Sequence, residues 1–196
     1  MVEESTAKRS SRDAIFAATI ALFSERGYPS TSMRDIASAV GLLPGSLYVH
    51  ISSKEQLLAD IVETGIDRFM VACREAIEAE KTPAARFRAL IHAHMALIAE
   101  DPEHVRVALH QWKYLTGASR TDVMDKRREY EGIFQTLIAD GIAKGEFSDK
   151  LNPRIAVLTV IGTLNWTSEW FHGDGPETAD EVADDIADVL LSGLSA

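Results

Sequence analysis

Ser32-Met-Arg-Asp-Ile-Ala-Ser-Ala-Val-Gly-Leu-Leu-Pro-Gly-Ser-Leu-Tyr-Val-His-Ile-Ser-Ser-Lys-Glu55 packs two short helices and the start of a third into the length of one helix-turn-helix. Ser32 and Asp35 have the spacing of a capping box, with Asp in place of the usual Glu or Gln. Met33, Ile36, Ala37 and Val40 then fall at i, i+3, i+4 and i+7, one face of a helix. Gly41 suits the end of that helix, because a left-handed backbone costs glycine little. Pro44 suits the first turn of the next, where its missing N–H costs nothing. Leu43, Leu47 and Ile51 are expected to share a buried stripe, which turns Gly45, Ser46, Tyr48 and Val49 outward. A short helix with small residues at its start and an aromatic hydroxyl farther along can sit deep in a major groove. Ser53 and Gln56 form a second capping box. Lys54 follows it in the first turn, where a cation opposes the helix dipole unless an anion is near.

Outward from this stretch the chain reads as helical almost throughout. A helix is expected from about Ser10 to Arg26, burying Ile15, Ala18, Leu22 and Phe23. The basic residues Lys8, Arg9 and Arg12 precede or begin it, as a solvated tail or as an arm along a DNA backbone. A helix from Lys54 towards Ala79 carries Leu57, Leu58, Ile61 and Val62. Thr82-Pro83, Asp101-Pro102 and Asn152-Pro153 each pair a cap with a proline at the first helical position. A loop is expected near Thr116–Ser119, then a helix from about Thr121 to Lys144 ended by Gly145. Thr178 and Glu181 cap the last helix, which carries Val182, Ile186, Val189 and Leu190.

Composition supports a globular chain: 46% hydrophobic and 26% charged residues, with no apolar run approaching the ~20 residues that span a bilayer. The first ten residues lack the apolar core of a signal peptide. The single cysteine, Cys73, cannot form an internal disulfide and reads as a small core residue. These features point to the cytoplasm and away from a membrane. The net charge of −10 is unlike the basic footprint of many nucleic-acid-binding proteins. It is unevenly spread: six cations against seven carboxylates leave residues 1–60 at −1, and the remaining −9 lies beyond. Specific DNA binding with weak non-specific affinity and a shallow salt dependence is therefore expected.

The runs Ala21–Tyr28, Met33–Ala37, Gly45–His50 and Ser53–Leu57 together resemble the N-terminal domain of TetR-family transcriptional regulators. The resemblance implies an all-α chain: a three-helix helix-turn-helix DNA-binding domain over residues 1–55, then a helical ligand-binding and dimerisation domain over 56–196. It implies a DNA-contacting set of Ser32, Arg34, Pro44, Gly45, Ser46, Tyr48, Val49, His50 and Lys54. Within it, Ser32, Tyr48, His50 and Lys54 would meet phosphates, while Gly45 and Ser46 bring the backbone close to the bases. Two positions depart from the family. Val49 stands where a larger polar or aromatic residue is frequent, and Ile51 stands where Phe is usual. Val49, facing out, could touch a thymine methyl.

The helix opening at Asn152 is apolar nearly all round, so it needs partners on every side. One chain can bury one side. The resemblance implies that a second copy buries the other, pairing terminal hairpins into a four-helix bundle, and so a homodimer on a palindromic double-stranded operator. It also implies a small-molecule cavity in the C-terminal part. Phe87, Met95, Trp112, Tyr114, Asn165 and Trp166 are the expected lining, the last four supplying polar handles. Gly162–Phe171 resembles a stretch of TetR regulators that respond to acyl-CoA thioesters, and Arg106, Lys113, Arg120, Arg127 and Arg128 are available for the phosphates of such an effector.

Other chemistry finds little support. His92 and His94 are two apart on a helix and point to nearly opposite sides, and His104 and His110 are no better placed, so no metal or other cofactor is expected. No Gly-rich phosphate loop or nucleophile elbow occurs. The expected function is a non-enzymatic, ligand-responsive regulator, more often a repressor. The alternatives are an acidic helical adaptor that binds only protein, or an enzyme without recognisable motifs.

Overall fold

The computed structural model describes residues 2–195, with side chains from Ser11 onward. The helices are α1 (Val2–Arg26), α2 (Met33–Ala39), α3 (Pro44–Leu47), α4 (Lys54–Glu78), α5 (Pro83–Glu100), α6 (Pro102–His110), α7 (Gly117–Ala143), α8 (Pro153–Trp170) and α9 (Ala179–Leu194), with a 3₁₀ turn at Trp112–Tyr114. Among the described residues there is no β-sheet, and no helix is long and apolar enough to cross a membrane.

The caps fall where the sequence puts them. Ser32–Asp35 and Thr178–Glu181 are reciprocal capping boxes, and Thr82, Asp101 and Asn152 cap α5, α6 and α8. Gly41 and Gly145 take φ of +68° and +74°, the left-handed backbone that ends α2 and α7. Four expectations need correction. The α1 backbone begins at Val2, so Lys8, Arg9 and Arg12 lie within a helix; the side chains of Lys8 and Arg9 lie outside the described residues, and Arg12 pairs with Asp60 at 3.2 Å. The expected loop at Thr116–Ser119 is mostly helix, since α7 starts at Gly117. Ser53 accepts from the Gln56 N–H, but the Gln56 amide turns to Asp60 at 2.8 Å, leaving half a capping box. Leu43 is 76% exposed, because it is the extended residue before α3 and lies outside the helical stripe; Leu47 and Ile51 alone are buried.

Helices α1, α2 and α3 close over Ile15, Phe23, Ile36, Ala37 and Leu47. Helix α4 runs unbroken from this head into the larger bundle, where α5 packs between α4 and α9. The acidic face of α9 is matched by α5: Arg88 pairs with Asp184 and Asp188, and His92 lies 3.0 Å from Asp184. At the α4–α6 crossing a Cβ on Gly65 would stand 2.6 Å from the Ala108 Cβ, so glycine is what allows the approach. Beside it the buried His104 turns Nε2 to the Ile61 carbonyl at 2.8 Å. A carbonyl only accepts, so Nε2 carries the proton and Nδ1 is left to accept from Arg68 at 3.3 Å.

Candidate nucleic-acid interface and effector cavity

Helix α3 is four residues long and held from behind by Leu47, fully buried, and Ile51. That anchoring leaves Pro44, Gly45, Ser46, Tyr48 and Val49 exposed as one outward strip, Tyr48 at 56% and Val49 at 71%. Ser32 and Arg34 are exposed at the start of α2. The Ser32 hydroxyl is already engaged, donating to Asp35 Oδ2 at 2.5 Å and accepting from the Asp35 N–H at 3.2 Å. The Ser32 hydroxyl and the Ser32 N–H, which donates to the same Oδ2 at 2.7 Å, hold the Asp35 carboxyl below its ordinary range. His50 is half-buried, and its Nδ1 is buried without a partner.

Lys54 has a different role from the one expected. Its ammonium donates to the carbonyls of Tyr28 at 2.9 Å and Thr31 at 2.7 Å, and it stands 4.2 Å from the centre of the Tyr28 ring. Two of its three donors are thus committed to backbone, which replaces the reading of Lys54 as a free phosphate ligand. Burial holds its pKa below the ordinary lysine value. Tyr28 is a hub that the sequence did not single out. Its N–H donates to Gln111 Oε1 at 3.0 Å, and its ring stacks on Tyr114 at 5.7 Å. Glu55 adds a second tie, accepting from the Thr116 N–H at 2.7 Å and from its hydroxyl at 2.8 Å. The reading head is therefore bolted to the segment that joins α6 to α7.

The six residues expected to line a cavity do not converge. Phe87 and Met95 are fully buried in packed core, Phe87 with its ring edge-on to Phe147. Tyr114 belongs to the Tyr28 stack, and Trp166 is 64% exposed on the outer side of α8. Asn165 alone lines the internal space, with Ile66, Phe69, Leu109, Tyr130 and Ile161, and with Arg127 and Glu131 at its edge. Trp112 reaches it indirectly, beneath the Arg127 guanidinium at 4.7 Å. The free volume is about 10 Å³, far below the ~300–1,000 Å³ of a typical ligand site, so the cavity is closed. One polar atom of its lining lacks a partner: Asn165 Oδ1 is buried without a hydrogen bond. His94 Nδ1 bonds the Tyr130 hydroxyl at 2.8 Å, and Phe69 stacks on the imidazole at 4.4 Å. Burial pushes the His94 pKa down to about 3, a hydrogen bond to the Leu164 backbone acting in the opposite direction. Cys73, hydrogen-bonded to Tyr130, is pushed up to about 12 by burial and is no nucleophile at neutral pH.

A roomier groove of about 730 Å³ lies on the outer face between α4, α5 and α7. Its rim cations are already paired, Arg74 with Glu129 and both Arg86 and Lys144 with Asp140, so none of them is free to meet an anionic ligand. Among the described residues no three His, Cys, Asp or Glu side chains gather as a metal site.

Two family models match the chain. One, described as bacterial regulatory proteins of the tetR family, covers residues 15–61; the other, described as tetracyclin repressor-like, C-terminal domain, covers residues 80–194. The HTH-type transcriptional repressor KstR2 of Mycobacterium tuberculosis is 28% identical over 179 residues, covering 89% of this chain and 88% of the relative. The crystal structure of the regulator PfmR from Thermus thermophilus is 31% identical with a TM-score of 0.83, over 93% of this chain and 99% of that one. AibR, solved in complex with isovaleryl coenzyme A and operator DNA, is 27% identical with a TM-score of 0.82, over 94% and 98%. An exposed α3 on a helix-turn-helix head, joined by α4 to a helical bundle and matched at both ends, settles the identity: the chain belongs to the TetR family of bacterial regulatory proteins, DNA-binding transcriptional regulators with a helical ligand-binding domain.

Proposed function

We propose that this regulator is a homodimeric repressor that leaves a palindromic operator when a small apolar or acyl-CoA-type effector opens its closed cavity. Residues 1–55 act as the reading head and 56–196 as the effector and pairing domain, with α4 spanning the join. The observation that carries this reading is the outward strip Pro44–Val49, projected by the buried Leu47 and Ile51. Ser46 and Val49 face the groove, with Ser32, Arg34, Tyr48 and His50 along the backbone. Asn165 meets the effector inside, beside Trp112 and Arg127.

The dimer rests on α8. Its inner side, with Val157, Val160, Ile161 and Leu164, is buried within the chain. Its outer side leaves Ile155, Leu158 and Trp166 between 48% and 64% exposed, in line with Gly162, and Val189 of α9 is 73% exposed beside them. A bare apolar stripe on the last helical hairpin fits a second copy of itself across a twofold axis. Such pairing sets two heads about one DNA turn, ~34–36 Å, apart. The AibR complex supports an acyl-CoA as the class of effector. Sedimentation velocity with a gel shift on DNA flanking the coding region tests the reading. A dimer that shifts a specific fragment, and loses both properties in Leu158→Arg, is the expected result. A monomeric protein, or no shift above competitor DNA, contradicts it.

A further inference from the structure

Among the described residues, the four most exposed large apolar side chains are Leu43, Val189, Val49 and Trp166. Val189 and Trp166 belong to the α8–α9 stripe given above to a second copy. Leu43 and Val49 stand instead at the two ends of the outward strip of the head, and no part of the chain covers either. The strip offers little that tells one base from another by hydrogen bonds. From Leu43 to Val49 it reads Leu-Pro-Gly-Ser-Leu-Tyr-Val, without Arg, Lys, Asn, Gln, Asp or Glu. Those are the side chains that bond two atoms of a purine edge at once, or accept from a cytosine amino group. A hydroxyl such as that of Ser46 suits either kind of base. Tyr48 and Arg34 are given above to the DNA backbone, and Leu47 is turned into the core. Gly45 adds an independent sign of close approach. A Cβ there would meet nothing within 4 Å and its backbone is not left-handed, so neither packing nor conformation asks for glycine. A bare backbone at that point lets the flanking side chains reach the floor of a groove.

We propose that Leu43 and Val49 are specificity-determining residues of the head, and that they read the C5 methyl groups of thymines in the major groove. The methyl is the apolar group that a base pair presents there, and it marks thymine among the four bases. Seating it against a leucine or valine side chain takes apolar surface out of water on both partners. The inference rests on the reading above that this strip enters the groove, and it names what the strip recognises: half-sites whose contacted positions are thymine.

The test is fluorescence anisotropy with the purified full-length protein and the DNA fragment that it protects, each thymine being replaced in turn by deoxyuridine. Deoxyuridine lacks only the methyl, so base pairing and the hydrogen-bonding edge are unchanged. Wild type is expected to lose about fourfold in affinity at two positions of each half-site, the worth of one buried methyl-sized group. Leu43→Ser removes the loss at one of these positions and Val49→Ser at the other. Both variants melt close to wild type, because both side chains are exposed. Unchanged affinity for every deoxyuridine fragment overturns the methyl reading while leaving a DNA-binding regulator in place. Methyl losses that persist in both serine variants overturn the assignment to Leu43 and Val49. No fragment bound above competitor DNA overturns the operator reading on which the inference rests.

Discussion

Lys54 Nζ donates to the Tyr28 carbonyl at 2.9 Å while standing 4.2 Å above the ring of the same residue. One side chain thus locks the first residue of α4 to the loop between α1 and α2, and so fixes the angle at which the head leaves the bundle. Lys54→Met is expected to lower stability by about 2 kcal/mol, the scale of a hydrogen bond to a charged group, and to weaken operator binding. It leaves the salt dependence of binding unchanged, because no phosphate contact is lost. Urea unfolding and salt-titrated anisotropy measure both; a salt slope shallower by about one unit would return Lys54 to a phosphate.

Tyr48 and Val49 are neighbours on the exposed strip, 56% and 71% open, with different expected partners. Tyr48→Phe removes a hydroxyl placed for the backbone, so binding to all operator variants weakens by a similar factor. Val49→Ser removes a methyl-sized contact and alters preference at one base position. A panel of single-base operator variants reads both; unequal losses for Tyr48→Phe or an unchanged profile for Val49→Ser would exchange the assignments.

The α4–α6 crossing at Gly65 and Ala108 couples the effector domain to the helix that carries the head. Gly65→Ala places a methyl 2.6 Å from the Ala108 Cβ and is expected to cost roughly 1–3 kcal/mol, despite alanine's better helix propensity. Adding Ala108→Gly reopens the space, so the double variant should melt higher than Gly65→Ala alone. If it melts lower, the crossing is not the source of the loss.

His94 contributes a pH dependence of known sign. Its folded pKa of about 3 lies below the ~6.5 of an unfolded histidine, so the fold favours the neutral ring. The stabilisation is complete above about pH 6.5 and is lost as the pH falls towards 3, at up to ~1.4 kcal/mol per unit. Cys73 and Tyr130, both raised by burial, stay protonated through that window. Urea unfolding of wild type and His94→Asn from pH 7 to 4 should differ in slope by about one proton. Parallel curves would mean that His94 is solvated in the native state.

The helices and their ends were legible because capping is local chemistry: Ser32–Asp35, Thr178–Glu181 and the cap-proline pairs announce themselves within four residues. The exposed strip was legible for the same reason, from the helical phase of Leu47 and Ile51. Leu43 was misread because one residue outside the helix loses that phase. The cavity was largely illegible. Phe87, Met95, Trp112, Tyr114 and Trp166 are ordinary apolar or aromatic helix positions, and only packing between distant segments decides which face a common space. The Tyr28–Gln111 bond spans 83 positions, so no local pattern marks it.

Operator binding by the purified protein, followed by footprinting on the DNA flanking its own coding region, tests the central claim most directly. Two protected half-sites in successive major grooves, occupied by one dimer and released by an acyl-CoA, are the predicted result. Protection without twofold symmetry, or none above competitor DNA, would contradict it.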